Sequence, residues 1–540
     1  MPLTATARAY AFASLFGLPL LIRIVEPHGR DQQVFAVLGR EAWQGLLPYR
    51  DLFEHKPPGV IFAAMAAHLL DEGAGWALGG FDVLAALLPA WLLGQAVAHG
   101  RPGPHWQGPL VAGLYLLAGR SEVFGGWWTR LQPEVLQDLA VAAALFAGVR
   151  HRWALAGVAL MAAWTLKFTY IGLWPLWALW ALRSAGPRAL LRLHLGIAVP
   201  ALALTLLAAA TDVLLPMFDA VVRFNLLHAG VSRLSAADLL AQSVQALQHI
   251  GLALPLVAIG GAIGLAMELA ALRRPLATET EAAPRWLFPG LLAAALLQTF
   301  IQGKLWKHHL IPVMLPLAAM AGIAISAGFV RAAQSPLRRT LLALALLVLS
   351  LPSLAMSAAA WWRQLAPGGS VGVLARYVDA PSRFSALHVA AIGLRLRQLA
   401  APQARLLVFG FEPGLYLESG LQPGSRWLYD YPLLAALPEP ARSAAIEELI
   451  GRLDAIDWVV VYRDDRNPLE ALDSATQLAQ ASSLSAAIAA RFEVAEQLFN
   501  ATLWRRRPSP GPAAAPLPPA DAAAPPPESA APSPAPEDRS

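Results

Sequence analysis

The residues best suited to chemistry lie near the N-terminus, in a polar stretch between two apolar segments. Residues 26–58 contain Asp31, then Arg50 and Asp51, then Glu54 and Lys56. A carboxylate such as Asp31 can act as a general base that takes the proton of an attacking hydroxyl. An anionic leaving group such as a phosphate needs preorganised cations, for which Lys56 and Arg50 are candidates.

Two further basic sites, a single lysine and a cluster, fit the same chemistry. Lys167 interrupts an apolar block, where charged residues are costly and usually functional. The alternative is that its ammonium group extends along the helix to the membrane interface. Lys304 and His308 belong to a second basic cluster beside Trp306. This cluster either binds a phosphate or anchors the chain at the interface.

The sequence gives only a weak indication of a metal site. Glu54, His55 and Asp31 are compatible with a divalent metal, but their spacing does not demand one. His308 and His309 are adjacent, so in a helix they should point to different sides and make a poor metal pair. The chain has no cysteine, and therefore no disulfide framework and no thiolate metal site. We therefore predict no cofactor, while a divalent metal remains open.

The polar stretch should contain a short amphipathic helix. Apolar residues recur at helical spacing between Gln32 and Trp43. Asp31 would then lie at or beside the N-terminus of this helix. There, free backbone N–H groups and the helix dipole stabilise an acid, which is a structural alternative to a catalytic role.

Composition assigns most of the chain to a membrane. Of its 540 residues, 56% are hydrophobic and only 14% are charged, against roughly 25% charged in soluble domains. Long apolar blocks recur, for example 250–272 and 309–330. We therefore predict a polytopic α-helical membrane protein with about 11 spans, of which 9–25 is the uncleaved first. The net charge of +5 does not indicate nucleic-acid binding, because most arginines lie in short loops between spans.

The positions of these arginines predict the topology. Short basic segments at 150–152, 183–192, 273–285 and 331–339 should be cytoplasmic. Residues 26–58, 212–249, 302–308 and everything after Trp361 then face outward. The block 153–182 must return to the same side, so we read it as two short helices meeting near Lys167. The run 59–70 is too short for a full crossing and should lie at the outer interface.

We expect the chain to lie in a bacterial inner membrane, where this topology gives a cytoplasmic N-terminus and a periplasmic C-terminal domain. The first loop is an exception to the positive-inside bias, since Arg30, Arg40, Arg50 and Lys56 face outward. Either the orientation is inverted, or these cations bind an anionic ligand such as a lipid phosphate.

Three parts follow along the chain. Residues 1–360 form the membrane module. Residues 361–506 carry α/β signals, with strands at 405–411 and 458–462 and helices at 440–453 and 469–490. Residues 507–540 are rich in Pro, Ala and Ser and should be disordered.

The first loop resembles that of the GT-C superfamily of membrane glycosyltransferases. The resemblance is to the branch containing protein O-mannosyltransferases and the aminoarabinose transferase of lipid A. Asp31 matches the family's first acid, residues 45–51 its Gly-x-x-Pro-Tyr-Arg-Asp stretch, and residues 56–58 its Lys-Pro-Pro motif. Gln32 departs from the Glu of many members. Weaker similarity continues to about residue 465, through Glu134 and residues 302–309.

The resemblance implies an inverting transferase that moves a sugar from a polyprenyl-phosphate donor to an acceptor hydroxyl. Asp31 would be the base. The phosphate-binding candidates are Lys56, Arg50, Lys167, Lys304 and His308. Glu54 and Asp51 are further candidates, and Glu134 either binds sugar hydroxyls or caps a helix.

The expected partners are a polyprenyl-phosphate-linked sugar, membrane lipids, and an acceptor that is a glycan, a lipid or a protein. The alternative from another class is a secondary transporter or lipid flippase, which should show internal repeats that we do not find. A third alternative is an inactive relative serving as a partner subunit, against which the intact Asp31 argues.

Overall fold

The computed structural model describes residues 4–72, 75–118, 126–231, 234–273, 282–303, 305–365, 367–380, 383–465 and 472–508. Lys304 lies outside these ranges, as does the predicted disordered tail beyond Pro508.

The N-terminal two thirds of the chain are almost entirely helical. Helices, including short 3-10 and π segments, occupy Ala5–Ser14, Leu15–Ile24, Arg30–Trp43, Gly59–Leu70, Gly75–Gly100, Gln107–Ala118, Gly126–Thr129, Pro133–Val149, Trp153–Leu166, Phe168–Gly172, Leu173–Ala210, Leu214–Phe218, Asp219–Phe224, Asn225–Val231, Ala236–Ala253, Pro255–Leu272, Leu287–Ile301, Lys307–Val313, Met314–Ala332 and Pro336–Gln364.

These helices confirm a polytopic α-helical membrane protein. Within the described residues, six helical segments are long and apolar enough to cross a bilayer, and four more apolar helices are shorter. The helix Gly59–Leu70 has 12 residues, in agreement with the short element predicted there. The total of about 11 crossings stays a prediction.

The block 153–182 breaks where the sequence predicts. One helix ends at Leu166, Lys167 adopts an extended backbone (φ −157°), and a 3-10 turn begins at Phe168. The basic stretch 183–192 also contains a break, although one narrower than a loop. The segment Leu173–Ala210 consists of two helical halves that meet at Gly186, where φ is +72° and the backbone is not helical. Pro187 then starts the second half of this helix, a position that tolerates proline because no intrahelical N–H is needed there.

The C-terminal domain, residues 367–508, is a mixed α/β unit. Its strands are β1 (Val378–Asp379), β2 (Phe384–Ser385), β3 (Arg405–Phe409), β4 (Gln422–Pro423), β5 (Trp458–Tyr462), β6 (Phe492–Leu498) and β7 (Ala501–Arg506). Strands β3 to β7 form one sheet in the order β4-β3-β5-β7-β6, in which β3 runs parallel to β4 and β5. The apolar runs 405–411 and 458–462 are thus buried strands, as predicted.

The helices of this domain flank the sheet. They occupy Gly369–Leu374, Ala386–Leu399, Gly414–Ser419, Pro432–Ala436, Ala441–Arg452, Leu453–Ala455, Ser474–Gln480 and Ser482–Arg491. The single helix expected at 469–490 is therefore two within the described residues. The last membrane helix ends at Gln364, slightly beyond the predicted boundary at 360.

The first loop packs directly against the C-terminal domain. The helix Arg30–Trp43, called the loop helix below, contributes Phe35 to a buried apolar cluster. The same cluster contains Phe53 of the first loop and Trp427 of the C-terminal domain, whose ring centroids lie 4.8 Å apart. One continuous core therefore joins the candidate residues of the first loop to the C-terminal domain.

Candidate active site

Asp31 lies in the first turn of the loop helix, as the sequence predicts. Gly29 precedes this helix with an extended backbone, so Asp31 lies where the positive end of the helix dipole favours a negative charge. One oxygen of Asp31, Oδ2, accepts a hydrogen bond of 2.7 Å from Nε2 of Gln132. The other, Oδ1, lies 4.0 Å from Nζ of Lys56. The carboxylate is thus oriented by one neutral donor and faces one cation.

The electrostatics around Asp31 favour its ionised form. Burial by itself would raise the pKa of this carboxyl. The charge of Lys56 and the hydrogen bond from Gln132 oppose that effect, with smaller contributions from His308 and Lys167. The net result is a pKa below the ordinary value, so Asp31 is unprotonated and able to accept a proton at neutral pH.

Lys56 is presented by a turn that Glu54 organises. The Oε1 atom of Glu54 accepts hydrogen bonds of 2.9 Å from the backbone N–H groups of His55 and Lys56. The ammonium group of Lys56 lies 3.9 Å from this Oε1 and 4.8 Å from the ring centroid of Phe35. Burial raises the pKa of Glu54, whereas the carboxylates of Asp31 and Glu54 outweigh burial and raise the pKa of Lys56. The ammonium group of Lys56 therefore lies within 4.0 Å of the carboxylates of both Glu54 and Asp31.

A second ion pair faces the first across the site. Pro133 starts the helix Pro133–Val149, and Glu134 occupies its first turn. The carboxylate of Glu134 contacts Nζ of Lys167, which sits in the break between two helices. Gln137 supports this break by donating a 3.0 Å hydrogen bond to the backbone oxygen of Lys167. Glu134 therefore lies at the N-terminus of a helix and also forms an ion pair with Lys167.

His308 joins the site through the 3-10 segment Lys307–Val313. Its ring lies 4.6 Å from that of His309, and both rings offer nitrogen atoms near the carboxylate of Glu134. The expectation that the two histidines point to different sides of a helix is therefore wrong. The reason is that the two histidines lie in a tight 3-10 turn rather than in an α-helix.

These three side chains are the metal-ligating group that the described residues bring together. The ligand atoms of Glu134, His308 and His309 lie within 4.8 Å of one another. Two imidazoles and a carboxylate are donors that Zn²⁺ accepts. The ammonium group of Lys167, however, already contacts the same carboxylate and would repel a cation. The donor set fits a divalent metal only if Lys167 moves away.

Arg50 and Asp51 are not brought to Asp31. The guanidinium group of Arg50 pairs with its neighbour Asp51 through contacts of 2.9 and 3.0 Å. Asp51 also accepts a 2.8 Å hydrogen bond from the backbone N–H of Leu47. These two residues therefore shape the first loop, at a distance from the central cluster.

Sequence reasoning missed two contributors to the site. Gln132 orients Asp31, but an amide side chain shows its partner only in the fold. Tyr429 comes from the C-terminal domain, and its ring packs on Phe411 at 4.7 Å. Burial raises the pKa of Tyr429, and the nearby carboxylates of Glu54 and Asp31 raise it further, which puts the phenol beside the acids of the first loop.

Comparison with known proteins supports the fold rather than a close sequence relationship. No protein-family model and no curated protein sequence matches the chain. ArnT from Cupriavidus metallidurans bound to undecaprenyl phosphate superposes with a TM-score of 0.56 at 16% identity. That alignment covers 93% of this chain and 98% of ArnT. The apo state of ArnT gives a TM-score of 0.54 over 92% and 96% of the two chains, also at 16% identity.

The arabinofuranosyltransferase AftD from mycobacteria matches as well. Its TM-score is 0.52 at 16% identity, over 94% of this chain and 40% of AftD. Both proteins belong to the GT-C superfamily of glycosyltransferases. The chain therefore has the GT-C membrane fold, and the resemblance noted in the first loop is confirmed at the level of the fold.

Proposed function

We propose that this protein is a glycosyltransferase of the bacterial inner membrane. In this proposal it moves a sugar from a polyprenyl-phosphate donor to an acceptor hydroxyl at the outer face of the membrane. The observation that carries the proposal is the environment of Asp31. An ionised carboxylate in the first loop of a membrane protein, oriented by Gln132, lies near the cations Lys56 and Lys167.

This arrangement suits an inverting displacement. An oxygen of Asp31 takes the proton of the acceptor hydroxyl while that hydroxyl attacks the anomeric carbon of the sugar. The bond between the anomeric carbon and the phosphate oxygen breaks at the same time, and the electron pair leaves with the lipid phosphate. Lys56, Lys167 and His308 would stabilise the charge on this leaving group. Fixed cations in a partly buried site do so without reorganising at the moment of reaction.

The comparison with ArnT supports the class of donor. ArnT has been crystallised with undecaprenyl phosphate, and it shares the fold over almost its whole length. We therefore expect a polyprenyl phosphate to bind here with its phosphate near Lys56. The ligand chemistry of Glu134, His308 and His309 would let a metal compete with Lys167, but the proposed reaction takes no step through a metal.

The variant Asp31→Asn tests the proposal. Loss of the base should lower transfer by roughly 10²- to 10⁴-fold, while the affinity for undecaprenyl phosphate stays unchanged. Transfer is measured as turnover of an undecaprenyl-phosphate-linked sugar in native membranes, and affinity by titration of the purified full-length protein. Near-normal turnover in the variant would remove Asp31 as the base.

A further inference from the structure

The first turn of the loop helix is held from two sides. Arg30 and Gln33, three positions apart, share one face of the helix and contact the C-terminal domain. Asp31 and Gln32 contact the membrane part instead. Nε2 of Gln32 donates a 2.6 Å hydrogen bond to the backbone oxygen of Arg130, next to the bond from Gln132 to Asp31. The position of Asp31 therefore depends on both halves of the molecule.

The contact with the C-terminal domain is a buried ion pair. Oε1 of Glu412 accepts from Nη2 of Arg30 at 2.6 Å and from Nε at 3.1 Å. Both residues are at most 4% exposed. The guanidinium group also lies 5.5 Å from the ring centroids of Phe384 and Phe411. The carboxylate of Glu412 and the two aromatic rings, all from the C-terminal domain, therefore hold the guanidinium group of Arg30 in place.

Backbone contacts reinforce this pair. The backbone N–H of Gly414 donates a 3.0 Å hydrogen bond to Oε1 of Gln33. A Cβ atom at Gly414 would come within 2.5 Å of the Gln33 side chain, so only glycine permits this approach. Further along the loop helix, Arg40 donates to the backbone oxygens of Tyr416 and Leu421 at 2.8 and 3.0 Å.

Burying the carboxylate of Glu412 at this position costs free energy. It follows β3, and its second oxygen, Oε2, is buried without a hydrogen-bond partner in the described part of the chain. A buried ion pair with an unsatisfied oxygen contributes little net stability, because desolvation offsets the attraction. An apolar residue of similar size would serve packing better. The pair is therefore better explained by what it orients than by the stability it adds.

We propose that Glu412 is a positioning residue of the transferase, which acts through Arg30 to hold Asp31 in register with Lys56. The proposal rests on the function proposed above for Asp31. In Glu412→Gln the buried charge of Arg30 loses its partner, and the start of the loop helix is free to shift. A misplacement of about 1 Å can cost roughly 100-fold in rate.

The test compares Glu412→Gln with Glu496→Gln in the full-length protein. Glu496 pairs with Arg395 at 2.8 Å inside the C-terminal domain, so it is a paired, partly exposed carboxylate away from the loop helix. We expect Glu412→Gln to lower kcat about 10- to 100-fold, with an unchanged affinity for undecaprenyl phosphate. Amide hydrogen exchange in residues 27–34 should rise in the same variant. Glu496→Gln should change none of these.

A pH profile separates positioning from a general loss of structure. Burial raises the pKa of Glu412 to about 7, although Arg30 opposes this. The other charged or titratable groups that face Glu412 are Asp465 and Tyr462 at β5 and Asp379 at β1. Only the ionised carboxylate pairs fully with Arg30. The kcat of the wild type should therefore fall in part as the pH drops through about 7, and Glu412→Gln should lack this step.

Three outcomes would overturn the positioning role: equal kcat in the two variants, a lowered affinity for undecaprenyl phosphate that accounts for the whole loss, or a pH step that persists in Glu412→Gln. If Glu412→Gln does not fold, Arg30→Lys replaces it, since it keeps the charge but loses the forked contact. A normal kcat in that variant would also overturn the role.

The two proposals can fail separately. An inactive Asp31→Asn beside a normal Glu412→Gln rejects the positioning role alone, whereas an active Asp31→Asn rejects the proposed function.

Discussion

At the scale of single residues, the site is a balance between burial and charge. Asp31 is partly buried, which by itself would raise the pKa of its carboxyl, and the ammonium group of Lys56 opposes that effect. Lys56 in turn keeps its charge because two carboxylates face it. The base and the phosphate-binding cation of the proposed reaction therefore maintain each other in the ionised state.

Lys56→Gln tests the phosphate-binding role at this scale. The variant keeps a polar side chain but loses the charge, and hydrogen bonds to charged groups contribute about 1.5–3 kcal/mol. We expect the affinity for undecaprenyl phosphate to fall roughly 10- to 100-fold, as measured by titration. Arg50→Gln is the matched control in the same loop. Its partly exposed pair with Asp51 should contribute little, so equal losses in the two variants would contradict the assignment.

At the scale of elements, the loop helix is placed by close packing as well as by hydrogen bonds. Gly39 lies against the helix Gly59–Leu70, where a Cβ atom would come within 2.6 Å of the backbone carbon of Ala64. Backbone atoms cannot rotate away as a side chain can. The distance between the loop helix and its neighbour is therefore set by a glycine.

Gly39→Ala should push these two helices apart. We expect a loss of about 1–3 kcal/mol in stability, seen as a lower Tm, together with reduced transfer because the same helix carries Asp31. Gly80→Ala is the control, since it also lies within a helix but has no atom within 4 Å of the added methyl group. There the change should be neutral or slightly stabilising. If Gly39→Ala had the same Tm as the control, the two helices would have accommodated the added methyl group, and the prediction would be contradicted.

At the scale of the whole molecule, the proposed reaction requires that the first loop and the C-terminal domain share one side of the membrane. Their common apolar core and the Arg30–Glu412 pair satisfy this requirement. The arginine distribution predicts the outer side, and the cations of the first loop are an exception to it.

Cysteine labelling can decide the orientation, because the chain has no cysteine of its own. Gln44→Cys in the first loop and Ser482→Cys in the C-terminal domain replace exposed residues, as does Gln334→Cys in a loop predicted to be cytoplasmic. In intact spheroplasts, a membrane-impermeant maleimide should label positions 44 and 482 and leave position 334 unlabelled until the cells are broken. The opposite pattern would exclude the proposed reaction at the outer face.

The features that the sequence determined by itself are local ones. The place of Asp31 in the first turn of a helix, the break at Lys167 and the buried strands at 405 and 458 follow from neighbouring residues, since hydrophobic periodicity and turn chemistry act over a few positions. Membrane insertion follows from composition for the same reason. The site itself was decided by the tertiary structure. Gln132 reaches Asp31 across 101 positions of the chain, and Arg30 reaches Glu412 across 382. Such partners are chosen by how distant helices pack, and no local pattern records that packing.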